Sequence, residues 1–124
     1  MNKKILLVED EASIADVFKD QLALGGFDVE IASGGAQALE MLKANKYDLI
    51  LLDLVMPDID GLAVLQAIKE KPEEYHSIPT IALTNVTSDD IRKEVEPYNL
   101  KAYLNKLNVK PQMLLETVNN ALAK

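Results

Sequence analysis

The chain has 124 residues, 48% of them hydrophobic and 27% charged, the composition of one globular domain and of neither a disordered nor a membrane protein. It contains no cysteine and a single histidine, His76, which excludes disulfide scaffolds, thiol catalysis, cysteine-held zinc and His-rich metal sites. Lys and Arg number 13 against 20 Asp and Glu, and the net charge of −7 argues against direct binding to nucleic acid or to an anionic membrane surface.

The first element is a short apolar run, Lys4 to Val8, which reads as a strand. It is too short for the core of a signal peptide, and no run approaches the roughly 18 apolar residues of a membrane span, so a cytoplasmic location is expected. Ala12 to Leu24 follows as a helix, with Ile14, Val17, Phe18 and Leu22 at helical spacing and Gly25-Gly26 as its stop. Asp28 to Ala32 is a second strand, and Gly35 to Asn45, with Ala38, Leu39 and Leu42 on one face, a second helix. Asp48 to Asp53 is apolar on both faces, as a central parallel strand covered by helices on each side must be. Gly61 to Lys71 then predicts a helix capped by Asp60, with Leu62, Leu65 and Ile68 inward.

After a polar loop, Pro72 to Ser77, comes a fourth strand, Pro79 to Leu83. A short helix, Ser88 to Glu96, has Thr87 or Ser88 as its cap and is ended by Pro97. Lys101 to Leu104 is a fifth strand, and Pro111 to Ala123, carrying Leu114, Leu115, Val118 and Leu122, a final helix. Met41, Met56 and Met113 read as packing residues and His76 as a solvated loop residue. The alternation predicts an α/β fold: a single domain over residues 1–124, built as a doubly wound, five-stranded parallel sheet with five helices distributed over both faces.

In such sheets the ligand site lies beyond the carboxyl ends of the strands. Glu9, Asp10 and Glu11 follow the first strand, Asp53 ends the third, Thr84 follows the fourth, and Lys106 lies two residues beyond the fifth. Three converging carboxylates, Glu9, Asp10 and Asp53, repel one another, and a hard divalent cation with oxygen ligands, magnesium, is the natural compensation. Taken singly, Glu9 to Glu11 would merely favour the start of the first helix, and Asp53 would be a turn residue. A hydroxyl and an ammonium beside a metal-bound carboxylate form a cradle for a phosphoryl group, with the aspartate as the nucleophile.

The segment Asp48 to Gly61, DLILLDLVMPDIDG, together with these strand ends, resembles the receiver domains of two-component response regulators, in particular the stand-alone chemotaxis-type receivers. The resemblance covers essentially the whole chain. It implies the flavodoxin-like strand order 2-1-3-4-5 and a phospho-accepting signalling domain, with Asp53 as phosphoacceptor. It further implies Glu9 and Asp10 as the acidic magnesium ligands beside Asp53, with the backbone carbonyl of Val55 as another. Thr84 and Tyr103 match the switch residues, and Lys106 the lysine that contacts the phosphoryl group. The implied partners are a histidine kinase or histidine phosphotransfer protein as donor and a downstream protein, bound on the face of the fourth helix, fifth strand and last helix.

Several positions depart from that pattern. Lys106 precedes Leu107 where the family usually has a proline in a cis peptide, and a cis bond without proline costs about 3–4 kcal/mol. A trans bond is expected here, with a rearranged loop that sets the ammonium farther from the site. Asn85 stands in place of a small residue after Thr84, and Pro97 and Asn99 shorten the fourth helix. Val55 and Val86 flank the approach of a hydrolytic water and favour a long-lived phosphorylated state. The rival readings are a receiver-like interaction module that works without phosphorylation and an enzyme, either a phosphohydrolase or a flavodoxin relative. The first enzyme would show Asp-x-Asp after the first strand and the second a Gly-rich phosphate loop; Glu9-Asp10-Glu11 stands there instead.

Overall fold

The computed structural model describes residues 2–75, 78–84, 89–98 and 100–123, the side chains of residues 89–91 excepted. His76, Asn85, Val86, Thr87, Ser88 and Asn99, for which the sequence carries specific expectations, lie outside the described residues. The strands are β1 (Lys4–Val8), β2 (Asp28–Ala32), β3 (Leu49–Asp53), β4 (Thr80–Thr84) and β5 (Ala102–Asn105). The helices are α1 (Ala12–Leu24), α2 (Gly35–Ala44), α3 (Gly61–Glu70), α4 (Pro72–Tyr75), α5 (Asp89–Val95) and α6 (Pro111–Leu122), with a 3-10 turn at Glu96–Tyr98. No described helix is long and apolar enough to cross a membrane.

All four strand pairings are parallel and the order is β2-β1-β3-β4-β5, as expected. The register follows from alternation, because successive side chains of a strand point to opposite faces. On one face Ile5 and Leu7 of β1, Leu49 and Leu51 of β3 and Ile81 and Leu83 of β4 pack with Phe18 and Leu22 of α1 and Leu114 and Val118 of α6. On the other, Leu6, Val8, Ile50, Leu52 and Ala82 pack with α2 through Leu42, α3 through Val64 and α5 through Val95. β3 is buried along its whole length, and each of its leucines contributes about 1.5–3 kcal/mol by leaving water. Its start is fixed by Asp48, whose carboxylate accepts the Lys4 N–H at 2.8 Å.

Helix ends follow local chemistry where the residues supply it. Asp60 accepts the Ala63 N–H at 2.9 Å and caps α3, and Gly26, with a φ of 92°, turns the chain out of α1. Four expectations are corrected. The segment expected as a polar loop contains α4, because Pro72 suits a first helical position and Tyr75 is buried against the α2–α3 side. Val17 and Met113 are not core: they are 53% and 55% exposed, lying off the stripes of Ala15, Phe18 and Leu22 and of Leu114, Val118 and Ala121. The described residues therefore hold six helices where five were expected; α5 itself stops at Val95, ahead of Pro97, and a 3-10 turn over Glu96–Tyr98 follows it.

Glycines let α2 and α3 approach the β3–α3 loop closely. A Cβ on Gly61 would lie 2.6 Å from the Asp53 carbonyl oxygen and 2.7 Å from the Leu54 Cα, and both contacts are to backbone that cannot swing aside. Gly61→Ala is accordingly expected to cost about 1–3 kcal/mol in urea unfolding. An unchanged unfolding midpoint would mean that the loop yields freely.

Candidate functional site

The switch in chain direction across the sheet falls between β1 and β3, neighbours whose chains continue to opposite sides. Glu9 directly follows β1 and Asp53 ends β3, so the fold delivers both carboxylates to the crevice there. Both are only 1% exposed. One oxygen from each of Glu9, Asp10 and Asp53 falls within 4.8 Å of the others, while Asp10 itself is exposed.

Lys106 completes the group. Its Nζ lies 2.9 Å from Asp53 Oδ2 and 3.0 Å from Glu9 Oε1, with the lysine side chain 5% exposed. The expectation that its ammonium sits farther out is therefore wrong. The described peptides are all trans, as expected for Lys106–Leu107, and the β-ladder carries the lysine into place: Lys106 N–H donates to the Thr84 carbonyl at 2.9 Å. Asn105 then turns the chain. Its side-chain oxygen accepts the Leu107 N–H at 3.0 Å and its carbonyl accepts from Asn108 and Val109, an Asx-type turn that needs no proline.

The remaining carboxylate oxygens are held by backbone. Asp53 Oδ1 accepts the Val55 N–H at 3.1 Å, and Glu9 Oε2 accepts the Glu11 N–H at 3.0 Å. Glu9 thus also supports the start of α1, where the Glu11 side chain makes no cap. Burial raises the Glu9 carboxyl above its ordinary range, the Glu11 N–H and Lys106 opposing the shift and the Asp53 charge adding to it. Burial alone would lower the Lys106 ammonium, but its bonds to Asp53 and Glu9 carry it above its usual value. One buried cation faces three carboxylates, an all-oxygen donor set with charge left uncompensated, and such a set fits a hard divalent cation.

Thr84, at the end of β4, is fully buried and lies one residue beyond Leu83, the register partner of Asp53. Tyr103 on β5 is half-buried, and the Arg92 guanidinium of α5 lies 5.1 Å from its ring centroid. Burial raises the Tyr103 hydroxyl pKa, the Arg92 charge opposing it. The Val55 side chain is 53% exposed at the mouth of the crevice.

Asp58, Arg92 and Asn105 are contributors not picked out from sequence. Asp58 reaches from the β3–α3 loop to the start of α2, accepting the Gly35 and Ala36 N–H groups at 3.2 Å each. The Ile59, Ala36 and Gly35 N–H groups hold its carboxyl below the usual range. Its partners are 22 and 23 residues away, so no local spacing signals the contact.

The profile of the response regulator receiver domain matches residues 5–119. The regulatory protein LuxO of Vibrio cholerae is 36% identical over 121 residues, covering 95% of this chain and 25% of LuxO. The chain thus spans about a quarter of the length of such curated relatives. The polar-differentiation response regulator DivK of Brucella ovis is 29% identical, with 98% of each chain covered. Among solved structures, the Vibrio cholerae chemotaxis protein CheY4 superposes with a TM-score of 0.89 at 29% identity, covering 98% of this chain and 100% of that one.

Proposed function

The chain belongs to the response regulator receiver domain family of two-component signalling, and from that premise we propose that Asp53 accepts a phosphoryl group in a magnesium-dependent reaction. Receiver domains interact with histidine kinases and downstream effectors, and the donor here is the phosphohistidine of a histidine kinase or histidine phosphotransfer protein. The observation that carries the reading is the buried Lys106 ammonium bridging Asp53 and Glu9 at the carboxyl ends of the strands.

In the reaction a carboxylate oxygen of Asp53 attacks phosphorus, the bond from phosphorus to the donor imidazole nitrogen breaks, and the imidazole leaves with that electron pair and takes a proton from solvent. An acyl phosphate remains on Asp53. Lys106 follows the charge, exchanging its bond to Asp53 for one to a phosphoryl oxygen. Thr84 supplies a hydroxyl to another oxygen, and its inward shift lets Tyr103 and α5 repack, a population shift between two packings. Glu9, Asp10, Asp53 and the Val55 carbonyl would hold the magnesium ion. When bound, that ion neutralises charge developing on the phosphoryl oxygens. The α5, β5 and α6 face is the output surface for a downstream protein partner.

With magnesium and a small acyl phosphate donor, the intact mass of the chain is expected to rise by one phosphoryl group. No rise would favour the module that works without phosphorylation. The Val55 side chain offers no hydrogen bond to an incoming water, so Val55→Asn is expected to shorten the lifetime of the phosphorylated form severalfold. An unchanged rate of phosphoryl loss would remove Val55 as a determinant.

A further inference from the structure

We infer that Asp58 is a positioning residue that gives the site its preference for magnesium over calcium. The inference rests on the proposal that Glu9, Asp10, Asp53 and the Val55 carbonyl hold magnesium. Asp58 closes a path of backbone and hydrogen bonds that joins the two sides of that site independently of Lys106. Glu9 donates its N–H to the Ala32 carbonyl at 3.0 Å, Ala32 ends β2, and α2 begins three residues later at Gly35. There Asp58 accepts the Gly35 and Ala36 N–H groups, and its loop runs back to Val55, whose N–H holds Asp53 Oδ1. The β1 side and the loop side are thus tied together through the start of α2.

The tie is a close one. α2 has Gly34 at its cap position and no side-chain cap of its own, so the Asp58 carboxylate supplies the acceptor that its first turn lacks. A Cβ on Gly34 would lie 2.7 Å from Asp58 Oδ2, and one on Gly35 2.8 Å from the Ile59 Cβ, so helix and loop meet at backbone distance. The Leu54 carbonyl accepts the Gly61 N–H at 3.0 Å and closes the base of the loop. Among the described residues, the hydrogen bonds that tie residues 55–59 to a helix are those of Asp58. The buried Met56 side chain holds this limb down as well, but packing is non-directional, and the aim of a carbonyl depends on the bonds that orient its peptide.

Fixed spacing discriminates between ions. Magnesium demands near-octahedral ligands at about 2.0–2.1 Å, whereas calcium accepts irregular ones at about 2.3–2.6 Å. A loosened Val55 carbonyl therefore costs magnesium more than calcium. Loss of the Asp58 charge, on an exposed side chain, weakens both divalent ions alike, so it leaves their ratio in place.

The test uses the whole unphosphorylated chain. Magnesium chloride and calcium chloride are titrated in turn at constant ionic strength, with binding read from the amide shifts of Glu9, Asp53 and Val55. Asp58→Ala is expected to lower the ratio of magnesium to calcium affinity about fivefold. In the metal-free variant the Val55 amide should also exchange with solvent severalfold faster than in wild type. An unchanged ratio overturns the inference. So does a Val55 amide that keeps its wild-type exchange rate while those of Gly35 and Ala36 speed up, since Asp58 would then cap α2 and do nothing more. A wild-type chain that binds no magnesium overturns the magnesium reading itself, and that outcome alone removes both.

Discussion

Asp53→Asn is expected to abolish phosphoryl incorporation while leaving the fold at least as stable. The amide keeps an oxygen for the Val55 N–H, now at 3.1 Å from Asp53 Oδ1, and nearly the same volume at a site only 1% exposed. It removes one of three carboxylates that share one buried cation, so repulsion with Glu9 and Asp10 falls. What it loses is the nucleophile, because a neutral amide oxygen does not form an acyl phosphate. Intact mass after exposure to donor and magnesium reads the first effect, and urea unfolding without metal reads the second. Incorporation persisting in a folded Asp53→Asn chain would move the phosphoacceptor elsewhere.

Lys106→Met is expected to act in two opposite directions. Without metal, Glu9 and Asp53 lose the ammonium that lies 3.0 and 2.9 Å from them, and removing one partner of a buried ion pair costs about 3 kcal/mol. With magnesium the same change helps, since the ion no longer meets a fixed positive charge. Magnesium should then bind about tenfold or more tightly and restore most of the lost stability by mass action. Unfolding curves with and without magnesium measure both effects. Phosphoryl transfer should still be slow, since the cation that follows the phosphoryl oxygens is gone. A Lys106→Met chain as stable as wild type without metal would show that the ammonium contributes little to holding the site.

Much of this was legible because the fold is written in short-range signals. Periodicity located all five strands to within a residue or so, and β3 stood out because its buried position leaves no room for polar residues before Asp53. The carboxyl-end rule then placed Glu9, Asp10, Asp53, Thr84 and Lys106 at one end of the sheet without any knowledge of distances. What stayed illegible depends on partners remote in sequence or on a single side chain. Tyr75 makes a helix of a polar stretch only because α2 and α3 offer it a place to be buried. Val17 and Met113 looked apolar enough for the core, yet a helix buries one stripe and theirs was already filled. The position of Lys106 was misjudged because proline was taken as the device that shapes its loop, whereas Asn105 turns the chain with its own side chain.

The bridge formed by Lys106 also sets when the site comes into being. Its two bonds join residues 97 and 53 positions apart, and closing loops of that length is slow and comes late in folding. Glu9 and Asp53 are brought together by the pairing of β1 with β3, which needs neither β4 nor β5. Lys106 arrives only after β5 has docked beside β4. During synthesis from the amino end, a chain whose β5 has not yet emerged holds the carboxylates but not their cation. The phosphoryl uptake proposed for Asp53 thus waits on the docking of β5, an element near the carboxyl end that only α6 follows.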